Sequence, residues 1–244
     1  MTIKFKTAIS NVNAGDEVVR GENLKNLIVA KTFTEVIFLI LRGVMPTSEE
    51  VQMLNAVLVS MIDHGPGVSS ALTARVVQSA GNDLHTGVAA GMLALGGNRH
   101  GGALGGAAKF FQENFETQDL PGLLKNLKDK KIRVPGYGHK VLAHDNRTDV
   151  LFGVAKETGF FGKYSEFANT VHEEINKIAS KKLPLNMDGA NAAILSDMGF
   201  DWRLITGFFL IGRTPGLVAQ VYEEMQSGEG IRRLEESEIE YLGS

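Results

Sequence analysis

Apolar residues recur at helical spacing along most of the chain. One helical face is formed by four apolar residues, Val51, Leu54, Leu58 and Met61, as a period of about 3.6 residues requires. Residues 47–50, which follow Pro46, have the pattern of a capping box, and this pattern marks a helix start. We therefore predict a helix that ends at "HGPG", residues 64–67.

Three other stretches predict structure from their patterns. Residues 86–110 are dense in Gly and Ala, which lets helix backbones approach closely, and they predict a deeply buried helix pair joined by a buried "GGNRHGG" turn. Residues 165–182 predict an amphipathic helix, and residues 201–226 predict a long apolar helix interrupted at Arg213 and Pro215. Alternation is confined to "FKTAISNVNAGDEVVRG" near the start, which predicts a short β-ribbon.

Composition narrows the class of protein. A chain of 244 residues can bury a sizeable core, and a net charge of −3 without a basic face argues against nucleic-acid binding. The absence of cysteine excludes disulfides and thiolate sites. We find neither the apolar core of a signal peptide nor an apolar run near the roughly 18 residues of a membrane span. These features predict a cytoplasmic protein whose partners are small molecules or other subunits, with no membrane.

Familiar catalytic motifs are missing. "GYGHKV" lacks the third glycine of a dinucleotide-binding loop. No Walker loop and no G-x-S-x-G elbow is present. The six histidines do not have the spacing of metal ligands, so we predict no metal site.

A dispersed set of polar residues stands instead in apolar or glycine-rich surroundings. The set comprises His64, His100, His139, Asp188 and Arg213. An unpaired guanidinium is costly to bury, so Arg213 should meet an anion. Two structural alternatives stay open: Asp188 as a helix N-cap, and Arg213 paired with Asp197 or Asp201. The glycines that flank His100 and His139 favour a functional role for both histidines. Three other histidines are interpreted as structural, namely His85, His144 and His172.

Five segments resemble the citrate synthase family, in order and over nearly the whole chain. They are "VVRGENLKNLIVAKTFTEVIFLILRGVMP", "GGNRHGGALGGAAKFF", "VPGYGHKVLAHDNR", "LPLNMDGANAAILSDMGF" and "GFFLIGRTPGLVAQVYEEM". Glu22 replaces an aromatic residue of the family pattern. The chain is much shorter than a complete citrate synthase. Its "MIDHGPGVSSALTARVVQSAG" and C-terminal "GEGIRRLEESEIEYLGS" are more similar to the citryl-CoA lyase module of ATP-citrate lyase.

The resemblance implies an enzyme that cleaves citryl-CoA to oxaloacetate and acetyl-CoA by a retro-aldol reaction. It places His139 at the tertiary hydroxyl, His100 at the enolate oxygen, and Asp188 as the group that exchanges a proton with the acetyl carbon. Carboxylates would be bound by His64, Arg147, Arg213 and Arg233, the last reaching a neighbouring subunit's site. Coenzyme A would lie against Val134, Pro135, Gly136, Tyr137 and Gly138, with Lys140 or Arg133 at its phosphates.

The resemblance also implies the architecture. We expect an all-α, citrate synthase-like fold with a short N-terminal β-ribbon. Residues 1–105 and 197–244 would form a large helical domain, and residues 106–196 a small CoA-binding domain that closes over the substrate. A homo-oligomer, either a dimer or a tetramer, is expected. The coenzyme A thioester serves as substrate and product, and no permanent cofactor is expected.

Two alternatives stay open. A citrate synthase, or a synthase of a related 2-oxoacid, is favoured by His100, because synthases carry histidine there and the lyase module does not. A non-catalytic CoA-binding subunit is the other, although the presence of His100, His139 and Asp188 argues against it. The sequence has no ATP-grasp or phosphohistidine segment, so we predict that the protein cannot activate citrate itself, and a separate citryl-CoA synthetase is a candidate partner.

Overall fold

The computed structural model describes residues 4–13, 16–138 and 144–243. The helical periodicity is confirmed, because most of these residues lie in α-helices. The helices within these ranges are α1 Leu24–Ala30, α2 Phe33–Arg42, α3 Ser48–Ser60, α4 Ser69–Ser79, α5 Leu84–Leu95, α6 Gly102–Asn114, α7 Leu120–Asp129, α8 Asn146–Thr158, α9 Lys163–Ile178, α10 Met187–Asp197 and α11 Trp202–Ser227.

The N-terminal β-ribbon is also confirmed. Three short strands, β1 Ser10–Asn13, β2 Asp16–Val19 and β3 Glu22–Asn23, form an antiparallel sheet in the order β1-β2-β3. Arg20 follows β2 and donates from Nε to the Ile40 carbonyl at 2.9 Å, which ties the ribbon to α2. The expected class, all-α with a short β-ribbon, is therefore the observed one.

The predicted capping box starts α3. The Thr47 side chain accepts from the Glu50 backbone N–H, and the Glu50 carboxylate accepts from the Thr47 N–H at 2.8 Å. The helix ends at Ser60, four residues before His64 of the predicted "HGPG" end. The loop that carries His64 is thus fixed to the end of a helix whose Met53, Leu54 and Val57 are buried.

Two helices form the centre of the core. Nine of the eleven residues of α10, from Met187 to Ser196 except Asp188, are buried. This helix is surrounded by α6, α8, α9 and α11, while α11 packs against α3, α4, α5 and α6. The division into domains at residues 105/106 and 196/197 stays a prediction, and α6 runs across the first of these boundaries.

The prediction of a deeply buried glycine-rich helix pair was wrong in two respects. First, α5 packs on α4 and α11 rather than on α6, because Gly87 and Gly91 face α4 and α11. Second, residues 96–99 of the intervening turn are exposed, as is Leu93 at 84%. Small residues here serve close approach to α4, and only α6 is buried as expected.

The predicted interruption of the last helix was also wrong. Helix α11 runs unbroken through Arg213 and Pro215. A proline removes one backbone hydrogen bond, and packing on five neighbouring helices outweighs that loss. In the described ranges α11 alone is long and apolar enough to cross a membrane, with a mean hydropathy of 1.3 over 18 residues, contrary to our expectation. Half of that window is buried inside the protein, as in a core helix.

Candidate active site

Five elements converge on a cavity of about 120 Å³. They are the loop after α3, the turn between α5 and α6, the first turns of α8 and α10, and the middle of α11. The lining residues are His64, His100, Arg147, Asn186, Met187, Asp188, Phe209 and Arg213. Five residues singled out from the sequence therefore meet in one place, and the beginnings of two helices, which favour anions, lie beside them.

Asp188 is the second residue of α10, and its environment favours the protonated acid. The N-cap is Asn186, whose side chain accepts from the Gly189 N–H at 3.1 Å, so the N-cap interpretation of Asp188 was wrong. Oδ1 of Asp188 is buried and has no hydrogen-bond partner among the described residues. Burial raises the pKa of Asp188 to about 6, against the opposing charges of Arg147 and Arg213. Both protonation states are therefore accessible near neutral pH.

The surroundings of His100 favour a neutral imidazole. Its Nε2 lies 2.9 Å from Oγ of Ser70, a fully buried residue of α4, and its ring meets Phe209 edge-on. Burial lowers the pKa of His100, and the charges of Arg213 and His64 lower it further. When the Ser70 hydroxyl donates to Nε2, the ring proton lies on Nδ1 and can be donated to a ligand.

Arg213 is a buried cation with a donor to spare. Its side chain is only 2% exposed, Nε donates to the Met61 carbonyl at 2.7 Å, and the guanidinium lies over the Phe209 ring. One terminal nitrogen is buried without a partner among the described residues. Burial lowers the pKa of Arg213, and the charges of Asp63 and Asp188 oppose that change.

The structural pairings considered for Arg213 are both wrong. Asp197 accepts from three backbone N–H groups at the start of α9, those of Gly162, Tyr164 and Ser165. Asp201 pairs with Arg203 instead. Arg213 lines the cavity, and an anionic ligand bound there would satisfy its spare donor.

Arg147 is positioned by Asp145, a residue that the sequence analysis missed. Asp145 is 1% exposed, caps α8, and accepts from Nε and a terminal nitrogen of Arg147 at 2.9 and 2.8 Å. It also accepts from the Met187 N–H at 3.1 Å, which joins Arg147 to the first turn of α10. These hydrogen bonds raise the pKa of Arg147. The other terminal nitrogen of Arg147 lies 3.4 Å from Nδ1 of His64.

The glycine-rich loop is joined to the same helix by backbone hydrogen bonds. The Asn186 N–H donates to the Gly136 carbonyl at 3.0 Å, and the Asn186 amide donates to the Gly138 carbonyl at 2.9 Å. Gly136 has φ +87°, and a Cβ on Gly189 would lie 2.5 Å from the Gly136 carbonyl oxygen. The Tyr137 hydroxyl donates to the Ala168 carbonyl. The Tyr137 hydroxyl is therefore already hydrogen-bonded within the protein.

Other predicted residues lie elsewhere. His139 and Lys140 fall outside the described residues, and Arg233 is exposed after α11 and does not line the cavity. His144 pairs with Asp149, and the His172 ring stacks on Tyr137. In the part of the chain that the structure describes, no three His, Asp or Glu side chains group as metal ligands.

A second cavity, of about 280 Å³, was not predicted. It is lined by the first turns of α6 and α11, with Gly102, Gly105, Gly106, Lys109, Trp202, Arg203 and Thr206, and by Gly96 and Asn98. Gly106 also lies against Pro135 of the glycine-rich loop. No sequence motif predicts this cavity, because glycines on a helix and single cationic residues form a common surface only when the helices pack together.

Comparison with known proteins gives consistent results. Residues 46–234 match the family model described as citrate synthase, C-terminal domain. The solved citryl-CoA lyase from Hydrogenobacter thermophilus is 46% identical, with a TM-score of 0.91 over 98% of this chain and 95% of that chain. The ATP citrate lyase from Methanothrix soehngenii, solved with citrate and coenzyme A, is 27% identical, with a TM-score of 0.86 over all of this chain and 42% of its own.

Curated relatives are longer than this chain. Citrate synthase 2 of Bacillus subtilis (strain 168) is 31% identical over 194 residues, which cover 79% of this chain and 52% of that protein. ATP-citrate synthase beta chain protein 2 of Arabidopsis thaliana is 31% identical over 70% of this chain and 31% of its own length. The chain thus spans about half, or less, of the length of these relatives.

Proposed function

Because the chain belongs to the citrate synthase family, we propose that it is a citryl-CoA lyase, which cleaves citryl-CoA to oxaloacetate and acetyl-CoA. The observation that carries this proposal is the cavity, which combines a carboxyl group of raised pKa, a neutral imidazole and two guanidinium groups. The likeness to a solved citryl-CoA lyase over nearly the full length of both chains favours cleavage over synthesis.

The reaction needs a base, an oxyanion donor and an acid. A base removes the proton of the tertiary hydroxyl, the carbon–carbon bond breaks, and the electron pair passes into the enolate of acetyl-CoA. His100 donates from Nδ1 to the developing enolate oxygen, where a preorganised donor is most effective. Protonated Asp188 gives its proton to the acetyl carbon, which the raised pKa permits. The base is assigned to His139 by the resemblance of "GYGHKV" to the family loop.

The two guanidinium groups account for the citryl carboxylates. Arg213 offers its spare terminal nitrogen, and Arg147 offers a second cation 3.4 Å from His64. Arginine suits this task because its planar fork matches a carboxylate. Both cations face the cavity that contains Asp188, so the substrate is bound with its reacting carbon beside the acid.

Coenzyme A is assigned to the glycine-rich loop and the second cavity. The loop presents backbone groups because the Tyr137 hydroxyl is bonded to Ala168. The adjoining cavity contributes Lys109 and Arg203, two cations suited to phosphates. Solved relatives were captured with coenzyme A or citryl-CoA, which supports the same ligand here.

We further propose that the protein is a homo-oligomer and that its substrate is made by a separate enzyme. The chain self-associates through α4, α5 and α11, where Leu72, Leu93 and Tyr222 are 49%, 84% and 55% exposed. Arg233 then reaches the site of a neighbouring subunit. A separate synthetase makes citryl-CoA, and the reaction takes place in the cytoplasm.

Asp188→Asn tests the function most directly. We expect purified protein to cleave citryl-CoA rapidly and to make little free citrate from oxaloacetate and acetyl-CoA. The substitution removes the proton donor, so kcat for cleavage should fall about 10³-fold. Asp149→Asn is the matched control, because Asp149 is an exposed carboxylate on α8 that pairs with His144. Its kcat should equal that of the wild type.

A citrate synthase is the second candidate, favoured by the 31% identity to Citrate synthase 2 and by His100. Release of citrate and free coenzyme A from oxaloacetate and acetyl-CoA, with slow cleavage of citryl-CoA, would establish that candidate. A protein that binds coenzyme A but turns over neither mixture would contradict both enzymatic proposals.

A further inference from the structure

A series of partly buried hydrogen bonds leads from Arg75, through Gln220 of α11, to the loop that carries His64. Asp63, the residue before His64, accepts on Oδ2 from the Gly65 N–H at 2.9 Å and from the Gln220 amide at 3.1 Å. Gln220 in turn accepts from Nε of Arg75 at 2.8 Å. Neither Asp63 nor Gln220 touches the cavity, yet together they hold one of its walls.

The chemistry of this contact allows Gln220 one orientation. A carboxylate can only accept a hydrogen bond and a guanidinium can only donate. The Gln220 amide nitrogen must therefore face Asp63, and its oxygen must face Arg75. Both hydrogen bonds therefore require an amide at position 220. The orientation that they impose on this amide fixes the position of the Asp63 carboxylate.

Arg75 is itself fixed. It donates to Glu224 at 3.0 Å and to Glu223, and Glu224 accepts a bidentate pair from Arg232 at 2.6 and 3.1 Å. The Glu224 side chain is 1% exposed. Arg75 is thus part of an ion network centred on the buried Glu224, and this network anchors the Gln220 oxygen.

The loop is also pressed against α11. A Cβ on Gly216 would overlap the Ile62 carbonyl and lie 3.0 Å from Cβ of Asp63. Backbone contact on one side and the Gln220 hydrogen bond on the other leave Asp63 little freedom. His64, which follows Asp63, lies 3.4 Å from Arg147 at the mouth of the cavity.

We propose that Gln220 is a positioning residue for substrate binding. Gln220 fixes the His64 loop through its hydrogen bond to Asp63, and Arg75 holds the Gln220 amide in the orientation that this hydrogen bond requires. This inference rests on the proposed function, since it assigns His64 to the carboxylates of citryl-CoA. Gln220 acts through the loop and touches no substrate. The expected signature is a change in KM rather than in kcat, because binding geometry is altered and the acid and base are not.

Gln220→Glu separates positioning from support of the fold. A glutamate keeps the contact with Arg75 and adds a charge to it, but it replaces the donor to Asp63 with a second carboxylate. If Gln220 positions the loop, KM for citryl-CoA should rise about 10-fold or more, with kcat within about threefold of wild type. Gln220→Met, which loses the hydrogen bonds to both Asp63 and Arg75 but adds no charge, should raise KM less. A glutamate variant with wild-type KM would overturn the proposal.

Glu223→Gln is the matched control. Glu223 is 71% exposed, and its contact with Arg75 is not one of the hydrogen bonds that connect Arg75 through Gln220 to Asp63. Its KM should equal that of wild type. Hydrogen exchange of residues 61–67 is measured on the same proteins, because the Gly65 N–H is protected by Asp63. Gln220→Glu should exchange faster in this segment, and Glu223→Gln should not.

The two readouts separate failure of the inference from failure of the proposed function. Wild-type protein that does not cleave citryl-CoA would refute the function alone, and the exchange experiment would still decide the role of Gln220. Equal exchange in Gln220→Glu, Glu223→Gln and the wild type would refute the positioning role even if cleavage is observed.

Discussion

Arg75 and Arg213 are both largely withdrawn from solvent, but among the described residues only Arg75 forms ion pairs with carboxylates. Each of its three nitrogens donates to an acceptor of α11, namely Gln220, Glu223 and Glu224. Arg213 makes one hydrogen bond, to the Met61 carbonyl, and keeps a buried nitrogen without a partner among the described residues. The difference distinguishes Arg75, a cation that stabilises the fold, from Arg213, a cation with a hydrogen-bond donor left for an anionic ligand. Burial alone does not identify a binding residue, whereas incomplete pairing does.

The largest expected effect is on activity at Arg213. Arg213→Gln removes the spare donor and the charge, so kcat/KM for citryl-CoA should fall about 10²-fold or more, as loss of a charge-assisted hydrogen bond predicts. Because no carboxylate within the described ranges forms an ion pair with this guanidinium, the midpoint of chemical denaturation should change little. Wild-type kcat/KM in this variant would remove Arg213 from the site.

The opposite pattern is expected at Arg75. Arg75→Met leaves Glu224 buried with Arg232 as its remaining partner, so the free energy of unfolding should fall by about 2–3 kcal/mol. The acid and oxyanion donor are untouched, and kcat should stay within about threefold of wild type. Urea denaturation together with steady-state kinetics measures both quantities. A large loss of kcat with unchanged stability would erase the contrast between the two arginines.

The smallest expected effect concerns two buried carboxylates with opposite pKa shifts. Burial raises the pKa of Asp188 to about 6, whereas hydrogen bonds from Arg232 lower the pKa of Glu224. Folding therefore favours protonated Asp188, and that stabilisation is lost as pH rises from about 4 through 6. Asp188→Asn should gain about 1–3 kcal/mol of stability at pH 8, and the gain should shrink toward pH 5.

Glu224→Gln should behave in the opposite way. The ionised Glu224 stabilises the fold above the pKa of an unfolded glutamate, and this contribution is lost as pH falls through its lowered folded pKa. The variant should therefore be less stable than wild type at pH 8, and the difference should shrink in acid. Parallel pH dependence of the two variants, measured by urea denaturation, would contradict the assignment of opposite roles.

Sequence patterns correctly predicted those structural features that depend on residues close together in the chain. The β-ribbon and the capping box at Thr47 were both read correctly, because turn chemistry and periodicity act over a few residues. Asp188 and Arg213 were found because charge in an apolar segment needs a partner. Ser70 and Phe209 were missed, since a serine and a phenylalanine in helices become site residues only when distant segments pack together.

The errors have the same physical origin. Asp197 and Asp201 were candidate partners of Arg213 by proximity in sequence, but Asp197 binds the start of α9 and Asp201 binds Arg203. Gly87 and Gly91 were read as a contact with the following helix, but they meet α4 and α11. A sequence pattern predicts whether a surface is charged or formed by small residues, and tertiary packing determines which segment contacts that surface.

The backbone contact between Gly136 and Gly189 has a consequence for redesign of this protein. A Cβ at either position would lie within 3 Å of the other residue's backbone, so these two sites cannot be varied one at a time to enlarge or reshape the candidate active site. Libraries that seek bulkier thioesters should keep both glycines and vary Met187 or Phe209, which line the cavity with side chains.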